Sequence, residues 1–264
     1  MLSFKRILGV VIRQLFLYRR SFSRILDIFY WPAMDILLWG FLTIYLEKGA
    51  VHLPRFVSFF LGALILWHIL YRSQIAVSVS FLEDIWARNL LNIMVAPLRL
   101  VEYMLGLIII SFVKVCFSFF IMSTLAGMLY DFNIFKLGVS LFPFVINLLI
   151  LGWAIGFVNI GLVFWFGQEA EILAWALVFI FLPFSAVFYP VSVLPPIIQD
   201  LAWFTPSAHV FEGMRSVILN GTFPIKHILW ATGLNVVYLA VSIWFMYNRF
   251  EYARKKGIIP KMGE

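Results

Sequence analysis

Six apolar runs divide the chain, at 28–46, 56–71, 101–129, 137–166, 172–189 and 228–247. Each is near or above the roughly 20 residues that carry a helix across a bilayer core. The second run is short and the third and fourth are long, which predicts tilt or extension beyond the bilayer. Ahead of the first run the period changes. Arg6, Arg13, Arg20 and Asp27 recur seven apart, while Leu8, Val11, Ile12, Leu15 and Phe22 fill the other side. That stripe predicts an amphipathic helix within 1–27, lying in the membrane interface. The plainer reading is a basic flank that only sets orientation.

Two stretches between the runs also carry pattern. Within 82–97, Asp84, Arg88 and Asn92 fall at helical spacing, with Asp84 placed to pair with Arg88. Leu82, Ile85, Trp86 and Ile93 occupy a different face, and Pro97 closes the segment. Such a helix either takes force from a soluble partner or binds headgroups only, and pattern does not choose. Within 190–221, Pro190, Pro195 and Pro196 each lack a backbone N–H and restrict the residue before them, so no regular helix survives there. The apolar pieces that follow, 197–204 and 209–219, are too short to span and too apolar for an exposed loop.

Composition fixes the solvent. The 264 residues are 63% hydrophobic and 12% charged, against about 25% charged in soluble domains. An all-α integral membrane protein of six spans follows, as a single transmembrane domain. Its single cysteine, Cys116, offers neither a disulfide framework nor a metal cluster. Arg13, Arg19 and Arg20 interrupt the first apolar residues, so no cleavable signal is expected.

The net charge of +7 reads as topology rather than nucleic-acid binding. With both termini inside, the inner segments hold 14 lysines and arginines and the outer ones five, Lys48, Arg55, Lys136, Arg215 and Lys226. Lys261 is among the inner ones, and Lys114 falls within a span. Charges inside spans are candidates for function. Asp35 and Lys114 lie at similar counted depths, which predicts an ion pair; His68 and Arg72 are alternative partners for Asp35. A packing pair with no part in transport is the other reading. Glu169 and Glu171 form the turn between runs four and five.

No catalytic or metal site is expected. The four histidines make no H-E-x-x-H, and one aspartate in a span does not make an aspartyl protease. Two buried charges without repeated halves also weaken an ion-coupled secondary transporter. That class and a passive channel remain the alternatives.

Two quoted stretches carry a family resemblance. "EDIWARNLLNIMVAPLRLVEYMLG" (83–106), with its acidic start, arginine, leucine-rich middle and A-P-L end, resembles a loop of ABC-transporter permeases of the type-2 exporter family. "FSAVFYPVSVLPPIIQDLAWFTPSAHVFEGMRSVI" (184–218) is similar to that family's C-terminal block, with its aromatic-Tyr-Pro break, L-P turn, T-P pair and terminal E-G-M-R. The resemblance implies ATP-driven export of a drug-like, lipid or lipid-linked glycan amphiphile by alternating access. It implies a coupling helix at 82–97, with Glu83, Asp84, Trp86 and Arg88 as contacts. It further implies re-entrant helices at 190–221 that close the outer end of the pathway, with Tyr189, Pro190, Pro195, Pro196, Glu212 and Arg215 as the gate. No glycine is followed by lysine, so the phosphate-binding G-x-x-x-x-G-K-[ST] loop is absent. The resemblance then implies a separate ABC ATPase in two copies, holding the ATP and Mg, and a second permease copy. No cofactor is expected in this chain. A bacterial or archaeal inner membrane is implied, with both termini cytoplasmic.

Overall fold

A computed structural model describes residues 2–49 and 56–257. The expectations for Arg55 and Lys261 lie outside the described residues, as does the side chain of Lys48. The described chain is helical, with no strand among these residues. In order the helices are α1 (Phe4–Arg19), α2 (Phe22–Gly49), α3 (Phe56–Trp86), α4 (Leu90–Val95), α5 (Leu100–Tyr130), α6 (Leu141–Phe166), α7 (Leu173–Phe181), α8 (Pro196–Trp203), α9 (Pro206–Asn220) and α10 (Ile225–Lys255). Short 3-10 turns precede α6 and α7.

Among the described residues five helices are long and apolar enough to cross a membrane: α2, α3, the α6 segment with its preceding turn, α5 and α10. The run at 172–189 does not form one continuous helix. It folds as the nine-residue α7 followed by turns. Pro183 supplies no N–H to the next helical turn, and Ala186 takes a left-handed φ of 51°.

The second run differs the other way. It ends at Tyr71 on hydropathy, yet α3 continues to Trp86. Arg72, Ser73 and Gln74 look like an exit into water, but all three are buried. Gln74 Nε2 donates to the Ala174 carbonyl and to Ser78 Oγ, each at 3.0 Å, and Ser111 Oγ donates to the Ser73 carbonyl at 3.0 Å. Protein therefore supplies what water would have, and the helix goes on.

α3 is the axis of the bundle, buried along most of its length between α5 and α6, while α2 and α10 keep most of their surface free. Close approach to α6 depends on Gly152. A Cβ there would stand 1.8 Å from Ser73 Oγ and 2.8 Å from the Leu70 carbonyl oxygen. One turn on, a Cβ on Gly156 would meet Val77 at 3.1 Å. This G-x-x-x-G pair lets two backbones touch, which is how helices pack where lipid supplies no hydrophobic drive.

α1 does not present its charged stripe to headgroups. Arg6 and Arg13 turn inward and bond to the bundle, whereas Leu8, Ile12, Leu15 and Phe16 face outward. Arg6, Arg13 and Asp27 of the stripe bond to protein while Arg20 is exposed, and the apolar face meets the surroundings. α1 runs alongside the first turns of α5, with Ser3 N bonded to Glu102 at 2.8 Å and Val10 packed on Gly106.

Candidate functional site

Three regions hold the residues singled out from sequence. The first is the basic end of the bundle, where α1, α4 and the C-terminus of α3 meet. α3 closes at Ala87–Asn89, with Arg88 at a φ of 52° and Asn89 N bonded to the Asp84 carbonyl at 2.9 Å. Asp84 sits in the last turn at 1% exposure, so its side chain points into protein. It does not pair with Arg88. It accepts from Arg13 Nη2 at 2.5 and 2.6 Å and from the Tyr103 hydroxyl. Glu83 is buried too, and meets Arg24 Nε at 2.9 Å. Both carboxylates therefore tie the α1–α2 elbow to α3 and are not free to contact a second protein.

Trp86 and Arg88 are exposed, and Trp86 Nε1 donates to Glu171 at 3.0 Å across the turn before α7. The exposed face of α4 adds Leu91 and Val95, one helical turn apart, with Val95 78% exposed. Sequence reasoning missed this pair, although Leu91 and Val95 lie opposite Leu90, whose burial anchors α4. The basic end thus offers Trp86, Arg88, Leu91 and Val95 as a compact apolar patch with one cation. Beside it a cleft of about 360 Å³ opens between α1 and α4, lined by Arg6, Arg13, Asn89, Asn92 and Pro97 among others.

The second region is the polar set along α3. The expected Asp35–Lys114 pair is not formed. Asp35 bonds His68 Nε2 at 3.0 Å, and Lys114 Nζ donates to Ser80 Oγ at 2.9 Å. Ser80 is three helical turns beyond His68 on α3, a rise of about 18 Å, which no lysine reaches. Arg72 bonds the Asp27 carboxylate and its carbonyl, each at 3.0 Å.

The third region is the opposite end, the cap of α8 and α9. Pro195 and Pro196 start α8, and Pro206 starts α9. Arg215 on α9 reaches back to the break after α7. Its Nη2 donates to the carbonyls of Ala186 and Tyr189, the latter at 2.8 Å, and its Nε meets Glu212 at 3.3 Å. Glu212 accepts from Val191 N at 2.7 Å, and the Tyr189 hydroxyl donates to the Pro183 carbonyl at 2.9 Å. Pro190 cannot donate, so these bonds are what hold the non-helical backbone around it. Tyr189, Pro190, Glu212 and Arg215 therefore form one latch, while Pro195 and Pro196 shape the start of α8.

Next to the latch, His209 bonds the Trp203 carbonyl at 2.9 Å and packs against His227 and Trp230. Burial lowers the His209 pKa, opposed by the hydrogen bond to Trp203 and by Glu212, and assisted by His227. A lowered folded pKa means that the unfolded chain binds the proton first. The stability His209 contributes is present above its ordinary value near 6.5 and is lost as pH falls through the lowered value. Hydrogen exchange over 196–220, corrected for intrinsic rates, is accordingly expected to be faster at pH 5 than at pH 7.5. His209→Gln should reduce that difference, the neighbouring His227, also lowered by burial, supplying the rest; an unchanged pH response in the variant would overturn the assignment.

Among the described residues no group of three or more His, Cys, Asp or Glu side chains could hold a metal. One further polar contact, unseen from sequence, joins α6 to α10: Asn235 Nδ2 donates to the Asn147 carbonyl at 2.9 Å and to its side-chain oxygen at 2.8 Å. No curated protein matches the chain. The sequence model of one family, described as ABC-2 type transporter, matches residues 9–219 and so runs from within α1 through almost all of α9.

Proposed function

This chain belongs to the ABC-2 type transporter family, and from that premise we propose that it is the membrane-spanning permease of an ATP-driven exporter. Its class is that of a multi-pass membrane protein and a permease component, not a catalyst by itself. We place the basic end on the cytoplasmic side, in line with the excess of lysine and arginine there. A separate ABC ATPase would dock on that end, two copies per pair of permeases, and would hold ATP and Mg. The cap of α8 and α9 would face outward as the re-entrant gate, and α7 with its following turns would complete the sixth crossing. An amphiphile that is drug-like, lipid or a lipid-linked glycan is the substrate class, moved by alternating access.

The observation that carries the docking reading is the exposed patch of Trp86 at the end of α3, Arg88 in the turn after it, and Leu91 and Val95 on the short α4. Hydrophobic anchors beside a cation suit a protein groove better than water. Co-purification from the native host in mild detergent tests it, with wild type against Leu91→Asp/Val95→Asp. Recovery of a P-loop ATPase with wild type, reduced at least tenfold in the variant, is expected. Recovery undiminished in the variant would move the docking site elsewhere. No ATPase with either chain, together with ATP-independent flux in vesicles, would favour a channel or ion-coupled carrier.

A further inference from the structure

We propose that a cleft on the outside of the bundle, at the C-terminal end of α5, binds the protonated amine of a cationic amphiphile, whose chain lies along α5. The argument starts from a free carboxylate. Asp27, Asp35, Glu83, Asp84, Glu102 and Glu212 each meet a basic side chain. Asp131 does not. It caps α5 at a left-handed φ of 51°, stands exposed, and among the described residues its carboxylate has no hydrogen bond or ion pair. No lysine, arginine or histidine lines the cleft it opens onto. α5 also ends there after 31 residues and brings the negative end of its dipole. Thr124 spends its hydroxyl hydrogen on the Phe120 carbonyl at 2.8 Å, which leaves that oxygen as an acceptor.

Aromatic rings supply the second half of the site. The cleft, of about 480 Å³, lies between the last turns of α5 and the 3-10 turn that follows. Phe119, Phe120 and Phe135 line it, the last two exposed. Phe119 and Phe135 meet edge to face, 6.2 Å between centroids. Asn133 fixes this turn, its side-chain oxygen accepting from Phe135 N at 2.9 Å. Ring faces attract an ammonium and add to the pull of a carboxylate.

A track for the chain completes the case. Ile109, Phe112, Cys116, Phe120 and Gly127 recur at helical spacing and are all exposed, so one apolar face of α5 leads into the cleft. A long-chain amine matches both the track and the carboxylate. An anion meets only negative charge there, and a neutral alcohol leaves Asp131 unmatched. Arg6 and Glu102 mark the basic end at the first turn of α5, so the cleft stands at the opposite end, which faces outward in the orientation proposed above. Binding is read on this chain alone, without ATPase or flux, so the exporter reading and this one stand or fall separately.

The test uses the full chain in phosphatidylcholine nanodiscs, titrated at pH 7 with tritiated dodecylamine and read by scintillation proximity against empty nanodiscs. Wild type is expected to bind saturably. Asp131→Asn should weaken binding about fivefold, the factor of a well-placed exposed ion pair. Asparagine tolerates a left-handed φ, so the turn survives the change. Gly127→Leu places a side chain in the cleft and should weaken binding by at least as much; its Cβ would stand at an ordinary 3.7 Å from the Phe132 carbonyl oxygen. Asp200→Asn removes another exposed carboxylate, on α8, and should leave the affinity within about twofold. Unlabelled dodecanol and dodecyl sulfate should compete about tenfold more weakly than dodecylamine. No saturable binding by wild type, wild-type affinity in both Asp131→Asn and Gly127→Leu, or equal competition by dodecanol would overturn the proposal. Loss of the amine in discs containing equimolar phosphatidylethanolamine would also overturn it, assigning the cleft to a lipid headgroup.

Discussion

Asp84→Ala is expected to destabilise the chain by about 3 kcal/mol, seen as a fall in melting temperature of about 6–12 °C in detergent. The carboxylate is 1% exposed and serves two partners at once. Removing it leaves Arg13 without its counter-charge and strands the hydroxyl of Tyr103, which is itself 1% exposed. Breaking one side of a buried pair costs about 3–5 kcal/mol, since the remaining charge is left desolvated. Arg13 keeps 30% of its side chain exposed and so has some access to water, which puts the effect at the low end. Arg88→Ala provides the contrast. Its side chain is exposed and bonds nothing in the last turn of α3, so the shift should stay within about 0.5 kcal/mol. Equal losses from the two variants would restore the local Asp84–Arg88 pair and refute the tertiary one.

Gly152→Val should cost as much or more, and should lower the yield of monodisperse protein. Overpacking a core typically costs about 1–3 kcal/mol because side chains move aside. Here the Leu70 carbonyl oxygen would be 2.8 Å from a mere Cβ, and backbone within a buried helix cannot swing away. The Ser73 hydroxyl would have to leave its place as well, and with it the bond it donates to the Leu70 carbonyl at 2.9 Å. Gly233→Ala is the matched control in α10, with nothing within 4 Å of the added carbon. It should be neutral or slightly stabilising, since alanine is favoured over glycine in a helix by up to about 1 kcal/mol. A Gly152→Val protein that melts with wild type would mean that α3 and α6 do not approach as described.

The long spans were legible where hydropathy is uninterrupted. α5, at Leu100–Tyr130, keeps to the expected 101–129 at both ends, and α10, at Ile225–Lys255, starts near the expected 228 but runs on past 247. The prolines at 190, 195 and 196 likewise marked the cap, since a missing N–H is a local fact. What sequence hid is partnership. The spacing of Asp84 and Arg88 offers a pair within one helix, and nothing local reveals that Arg13, 71 residues earlier, is the better-placed cation. Arg72–Gln74 looked like a departure into water because hydropathy scores a residue without its neighbours. The seven-residue stripe of α1 was seen, but whether polar side chains turn toward headgroups or toward protein depends on what stands opposite. The same limit hid the apolar Leu91–Val95 face, whose exposure is decided by where α4 packs.

The polar partners of α3 differ in when they are made. Asp27 for Arg72 and Arg13 for Asp84 precede α3 in the chain and are already synthesised when it enters the bilayer. The acceptor for Gln74 is the carbonyl of residue 174, a hundred residues later, and the Ser111 hydroxyl also comes afterwards. Through residue 86 the chain holds the counter-charges of α3, but for the Gln74 amide only Ser78 Oγ of its own helix. In chain order, therefore, the charged partners of α3 precede it, whereas the groups that close off the Ser73 carbonyl and the Gln74 amide come only with α5 and α7.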